Sequence, residues 1–229
     1  MTTISANLQA VRMRIAAAAE LAGRAVEDIR LLAVSKTFPP ECVREAAMAG
    51  QTAFGENYLQ EGLGKIAALA DLGLEWHFIG PLQSNKTRAV AEHFTWVHGV
   101  ERLKIAERLA EARGAGRSPL QVCIQVNVSG EASKRGVSPG EAAALAHAVA
   151  TLPNLQLRGL MAIPEPTEDE VLARRRFAAL REQRDALNRE GLALDTLSMG
   201  MSHDLEAAIL EGATIVRVGT AIFGTRHYA

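Results

Sequence analysis

The chain has 229 residues, 48% of them apolar, and a formal net charge of −1. That is enough chain for one large domain or two small ones, with ample apolar content for a core, so a disordered chain is excluded. The near-neutral charge removes the electrostatic case for nucleic acid or an anionic membrane surface, and no window approaches the ~18 apolar residues of a membrane span.

Ile4, Leu8, Val11 and Ile15 recur at helical spacing and predict a first helix with one apolar face. Arg12 and Arg14 precede the first acid, Glu20, as in a transit peptide, but the apolar stripe favours an ordinary helix of a cytoplasmic protein. Short β-rich runs then alternate with longer helical ones. Strands are predicted over 31–35, 52–55, 76–79, 95–98, 121–128, 156–163, 196–199 and 214–223. Helices are predicted over 40–50, 57–71, 82–92, 101–114, 138–151, 167–190 and 203–212. Several of these starts carry proline or acid in the first turn, as in Ser138-Pro139-Gly140-Glu141. Cys42 and Cys123 lie far apart with no CxxC, which argues against a disulfide framework or zinc cluster. Cys42 is expected to be a small hydrophobe, not a reactive thiol. The six histidines show no paired metal spacing.

Strands alternating with helices imply parallel βαβ units. An eightfold repeat in this length fits a closed TIM-type (β/α)8 barrel, with the leading helix as an addition and residues 1–229 as one domain. An open doubly wound sheet is the alternative, since periodicity does not report closure. A barrel needs no partner to close, so a monomer is expected.

In such a barrel the C-terminal strand ends form the site, with phosphate bound after strands seven and eight. Lys36 closes strand one, Asn57 ends strand two, and Ser198-Met199-Gly200-Met201-Ser202 follows strand seven. Gly219 and Thr220 lie late in strand eight. A strand-end lysine can form a Schiff base with an aldehyde, and hydroxyls with glycine-freed backbone suit a phosphate. Together they point to pyridoxal phosphate. Taken singly, Lys36 reads as a surface lysine and Ser202 as the N-cap of the last helix. Arg217 faces inward with Ile215 and Gly219, where it needs a partner: a pyridine nitrogen, or an internal salt bridge to Glu56 or Glu211. His77 either faces the site or is a core histidine. Gly80-Pro81-Leu82-Gln83-Ser84-Asn85-Lys86-Thr87 approximates a nucleotide loop, but Asn85 replaces its second glycine and Pro81 lacks a donor. Asn85 and Lys86 are left as possible rim residues.

With these residues in view, the chain resembles the pyridoxal phosphate homeostasis protein family, relatives of the N-terminal barrel of alanine racemase. The likeness is carried by Leu32-Ala33-Val34-Ser35-Lys36-Thr37, Phe54-Gly55-Glu56-Asn57-Tyr58, the run from Trp76 to Lys86, Gly159-Leu160-Met161, Leu197 to Ser202 and Val216 to Gly224. The resemblance implies that Lys36 holds the cofactor as an internal aldimine. It places Ser198, Gly200, Ser202, Gly219 and Thr220 around the phosphate, Arg217 at the pyridine nitrogen and Asn57 near the ring. It implies a non-catalytic carrier that buffers or delivers the cofactor, with PLP-dependent apo-enzymes as recipients. One departure is Ser202-His203-Asp204, where the family usually has Ser-Asp-Asp. The alternative is a racemase-like enzyme, which needs acid/base groups on both faces of the substrate. Lys36 serves only one, Tyr58 and Tyr228 have no evident reason to face the site, and the chain ends at Ala229 without a second domain. A barrel enzyme acting on sugar phosphates lacks a visible acid/base constellation.

Overall fold

The computed structural model describes residues 3–131 and 135–225. Eight parallel strands form a closed barrel in sequence order: β1 (Arg30–Val34), β2 (Ala53–Glu56), β3 (Glu75–Phe78), β4 (Trp96–Val100), β5 (Leu120–Gln125), β6 (Leu155–Met161), β7 (Thr196–Ser198) and β8 (Ile215–Val218). Closure is made by β1 and β8, with Leu31 opposite Val216 and Leu32 opposite Arg217. The helices are α1 (Thr3–Leu21), α2 (Pro40–Met48), α3 (Leu59–Ala68), α4 (Thr87–His93), α5 (Leu103–Arg113), α6 (Pro139–Ala150), α7 (Glu170–Arg189), α8 (Leu205–Leu210) and α9 (Thr220–Phe223).

Strand alternation sorts each strand into an outer and an inner face. Phe54, Phe78, Val97, Leu160, Leu197 and Val216 point outward into one apolar shell under the helices. Leu32, Val34, Ala53, Ile79, Trp96, Cys123, Met161 and Ile215 fill the lumen as a separate cluster. The predicted stripe of α1 is buried, with Leu8 and Val11 at 0% and 1% exposure. Its polar side is equally committed. Arg12 donates to the Ala49 and Gly50 carbonyls, and Arg14 pairs with Glu206 while donating to the Ser202 carbonyl. Asn7 reaches the Ile222 carbonyl at 3.0 Å. The extra helix therefore ties down the two segments that follow β7 and β8. At α6, Ser138 and Glu141 form the capping box that the sequence signals, with Pro139 at the first helical position.

Several boundaries differ from expectation by a few residues, and two of them shape the site. The run 214–223 is not one strand: β8 stops at Val218, and the chain turns at Gly219 into α9. Gly219 packs so closely on β1 that a Cβ would lie 3.1 Å from the Val34 carbonyl oxygen. Bulk is excluded there, and the apolar run Ala221-Ile222-Phe223 coils back onto α1 instead of extending. The last major helix, α8, begins at Leu205, because Asp204 turns back to accept the Met201 amide.

Candidate functional site

A cavity of about 190 Å³ opens at the C-terminal ends of the strands. Its polar lining is Lys36, Asn57, Ser202, His203, Arg217 and Thr220, with the Gly219 backbone. Its walls are apolar: Val34, Phe38, Ile79, Ile163 and Met201. Six of the eight expected site residues thus meet, although they come from four separate βα units.

Lys36 lies two residues past β1, in a turn, whereas the sequence suggested the strand end itself. Ser35 continues the pairing by donating to the Gly55 carbonyl at 3.1 Å. Thr37 then takes φ = +70°, a left-handed conformation that is unusual for a β-branched residue. The Glu61 carboxylate holds it there, accepting the Thr37 amide at 2.5 Å. Beneath the turn, buried Lys65 donates to Glu61, to Glu56 and to the Ser35 carbonyl, each at 2.6 Å. Burial pushes the Glu56 carboxyl up, with Lys65 and Ser35 opposing it. The loop carrying Lys36 is therefore braced by charges on α3. Asn57 is fixed by crowding, since a Cβ on Gly80 would come within 2.1 Å of the Asn57 carbonyl oxygen. Its Oδ1 is buried and has no hydrogen-bond partner among the described residues.

Arg217 is 4% exposed and pairs with neither Glu56 nor Glu211. Glu56 is bound by Lys65, and Glu211 by Arg174 and Arg181 on α7. Arg217 instead donates to Ser198 Oγ and to the Ala162 carbonyl, both at 2.8 Å. A guanidinium has five N–H donors, so donors remain for a ligand. Burial lowers its pKa to about 10, leaving it charged at neutral pH.

Ser198 and Gly200 do not line the cavity. Ser198 lies fully buried below Arg217, and its hydroxyl also meets His98 Nδ1 at 2.8 Å. Gly200 has φ = +92°, and a Cβ there would sit 2.6 Å from Ala208. It thereby lets α8 close over β7, and its carbonyl accepts the Arg217 amide. Ser202 is not the cap of α8; its hydroxyl accepts the Ala221 amide at 3.3 Å, in the first turn of α9. His203 lines the cavity mouth beside Asp204, at 3.4 Å. Asn85 lines a separate hollow with Arg88 and Arg108, and neither Asn85 nor Lys86 lines the cavity.

His77 is a lumen residue below the site. Its Nδ1 meets His98 Nε2 at 2.9 Å, its Nε2 meets Glu75 at 2.5 Å, and its ring stacks on Trp96. Burial lowers the pKa of both histidines, so both rings are neutral at neutral pH. Burial would raise the Glu75 carboxyl, but the His77 hydrogen bond and Arg30 prevail and hold it at about 2. Cys123, deep in the lumen, is pushed up to about 12 by burial, and burial also raises Cys42. Neither thiol is activated. This polar line was missed from sequence, although the strand parity that places Ile215 and Arg217 inward also places His77 and His98 there.

The family model for the alanine racemase N-terminal domain matches residues 6–227. A pyridoxal phosphate homeostasis protein of Pseudomonas aeruginosa is 64% identical over 228 residues, covering 100% of this chain and 98% of its own. One from Escherichia coli K12 is 54% identical over 235 residues, covering 100% and 99%. Among solved structures, PipY of Synechococcus elongatus with PLP bound superimposes with a TM-score of 0.82 at 40% identity, covering 93% of this chain and 100% of that one.

Proposed function

The chain belongs to the pyridoxal phosphate homeostasis protein family, and from that premise we propose that it holds pyridoxal 5′-phosphate on Lys36 as a store and donor of cofactor inside the cell. The observation that carries this reading is one cavity lined by a lysine on a braced turn, by a buried arginine with donors to spare and by Asn57, whose buried Oδ1 has no hydrogen-bond partner among the described residues. When bound, the cofactor supplies an aldehyde that condenses with an amine, losing water.

The residues present fit that group. The turn after β1 presents Lys36 to the cavity, and Val34, Phe38 and Ile79 keep its wall dry. Ser202, Thr220 and the Gly219 backbone offer donors for a phosphate at the rim, where Arg14 and Ser202 hold two loops together. Arg217 can only donate, so a ring nitrogen facing it stays unprotonated and the ring is a weak electron sink. That suits storage better than carbanion chemistry. Racemisation needs acid/base groups on both faces of the substrate. Tyr58 is 55% exposed and does not line the cavity, while Tyr228 lies outside the described residues. Recipients would be apo-enzymes that require the same cofactor.

The test is to load the purified protein, record its visible absorbance, reduce with borohydride and map the modified peptide by mass. The expected label is on Lys36, absent from Lys36→Ala. The loaded protein should then activate a cofactor-free enzyme and leave L-amino acids unracemised. No chromophore after loading would overturn the cofactor; steady racemisation would overturn the carrier role.

A further inference from the structure

Five side chains make an unbroken hydrogen-bonded line through the lumen: Glu75, His77, His98, Ser198 and Arg217. The upper end lines the cavity. The lower end is the first residue of β3, where the Glu75 side chain is 30% exposed and paired with Arg30 at 2.8 Å. Between them His77, His98 and Ser198 are wholly buried. Trp96 stacks on His77 with ring planes 3° apart, and the same indole carries the Arg158 guanidinium on a face 5.2 Å away.

Donor and acceptor rules fix the direction of every bond. Glu75 is a carboxylate and only accepts, so His77 donates to it from Nε2 and, as a neutral ring, accepts at Nδ1. His98 therefore donates from Nε2 to His77 Nδ1 and in turn accepts at its own Nδ1. Ser198 then gives its proton to His98 Nδ1 and keeps a lone pair for Arg217, which only donates. The direction set at the carboxylate end runs the whole line and suits the arginine at the other.

We infer that Glu75, His77, His98 and Ser198 are positioning residues, which lock the Arg217 guanidinium as a fixed donor to the cofactor and couple it to the charge at the lower rim. The inference rests on the cofactor reading above. A carboxylate paired directly with Arg217 would satisfy the cation, but it would compete for the donors that face the ligand and place a negative charge beside the ring. The line avoids both. It gives Arg217 a neutral acceptor polarised by an anion at the far end, and each bond strengthens the next in a low-dielectric lumen. Apolar lumen side chains, among them Cys123, Met161 and Ile215, pack in the same interior.

The first test needs no cofactor. In unloaded, unsubstituted protein, 15N resonances of the histidine rings should show His77 and His98 neutral with hydrogen on Nε2. A ring protonated on Nδ1, or on both nitrogens, would overturn the assigned direction. The second test uses loaded protein and compares cofactor release and the absorbance band in Glu75→Gln, Ser198→Ala and the double variant. Each single change should shift the band and speed release about tenfold, while Glu75→Gln should add nothing once Ser198 is alanine. Glu75→Gln acting equally in both backgrounds, or not at all, would overturn the coupling. If the unsubstituted protein takes up no chromophore, the proposed function fails by itself, and the histidine resonances still decide the line.

Discussion

The outer shell and the lumen of this barrel are made by the same strands and obey different chemistry. In β8, Val216 and Val218 face out into a shell of aliphatic and aromatic side chains, while Ile215 and Arg217 face in. In β3, Trp76 and Phe78 face out, and His77 faces in. The shell is mostly aliphatic and aromatic, and its side chains contribute chiefly by burial, with the Lys65–Glu56 pair under α3 as a polar exception. The lumen combines an apolar cluster with a line of hydrogen-bonded polar groups, and that line ends at the cavity. Stability should therefore be concentrated outside the strands and ligand chemistry inside them.

The largest effect should come from the shell. Phe78 is 1% exposed and meets Phe94 edge-on at 5.4 Å. Phe78→Ala should cost about 3–5 kcal/mol in chemical denaturation, yet leave the absorbance of the remaining folded, loaded protein unchanged. A shifted band in that variant would break the division between shell and lumen. Arg217→Met tests the other side. Replacing a buried cation by an apolar side chain of similar length should change stability by less than about 2 kcal/mol. Cofactor release, followed by dialysis or absorbance, should rise at least about tenfold, since a hydrogen bond from a charged donor is lost.

A smaller effect separates the two regions by pH. The Glu75 carboxyl sits at about 2 in the fold against its ordinary 4.5. A depressed folded pKa contributes stability that is fully present above 4.5 and is lost as pH falls from about 4.5 towards 2. Glu75→Gln should flatten that part of the acid denaturation curve, whereas a shell variant such as Phe78→Ala should lower the curve at every pH. An unchanged acid limb in Glu75→Gln would mean that the Arg30–Glu75–His77 cluster is not formed in solution.

Much of this was legible in the sequence because it depends on period and order. The alternation of β-rich and helical runs predicts eight strands and favours a barrel, with closure itself seen only in the pairing of β1 with β8, and the α1 stripe is visible in Ile4, Leu8, Val11 and Ile15. Lys36, Asn57, Ser202, Arg217, Gly219 and Thr220 could be gathered on one rim because strand order alone puts them there. What escaped depends on distance across the lumen. Ser198 looked like a phosphate ligand, since its neighbours and its hydroxyl suit one; only the register of β7 shows it below Arg217, facing His98. Gly200 looked like a close approach to a ligand and is a close approach to α8. The end of β8 was misread because 214–223 is mostly apolar and β-branched, and periodicity in so short a run cannot separate a strand from a strand followed by a helical turn.

The smallest predicted effect concerns a conflict between local and tertiary preference that sequence could not reveal at all. Thr37 is β-branched and sits next to Lys36, in a run that reads as the end of a strand, yet its φ is +70°. Left alone the residue would return to an extended or right-handed conformation. It is held by the Glu61 carboxylate on its amide, and Glu61 is in turn held by Lys65. The strain turns the chain sharply after Lys36 and leaves that side chain at the cavity, not stretched along the rim. Asparagine tolerates this conformation better than threonine does. Thr37→Asn should therefore raise stability by about 0.5–1 kcal/mol, read from the denaturation midpoint, with the borohydride label still on Lys36. Glu61→Gln should do the reverse, because an amide is a weaker acceptor for a strained N–H and leaves Lys65 with one carboxylate fewer. If Thr37→Asn were destabilising, the turn would be stabilised by the threonine itself and not imposed from α3.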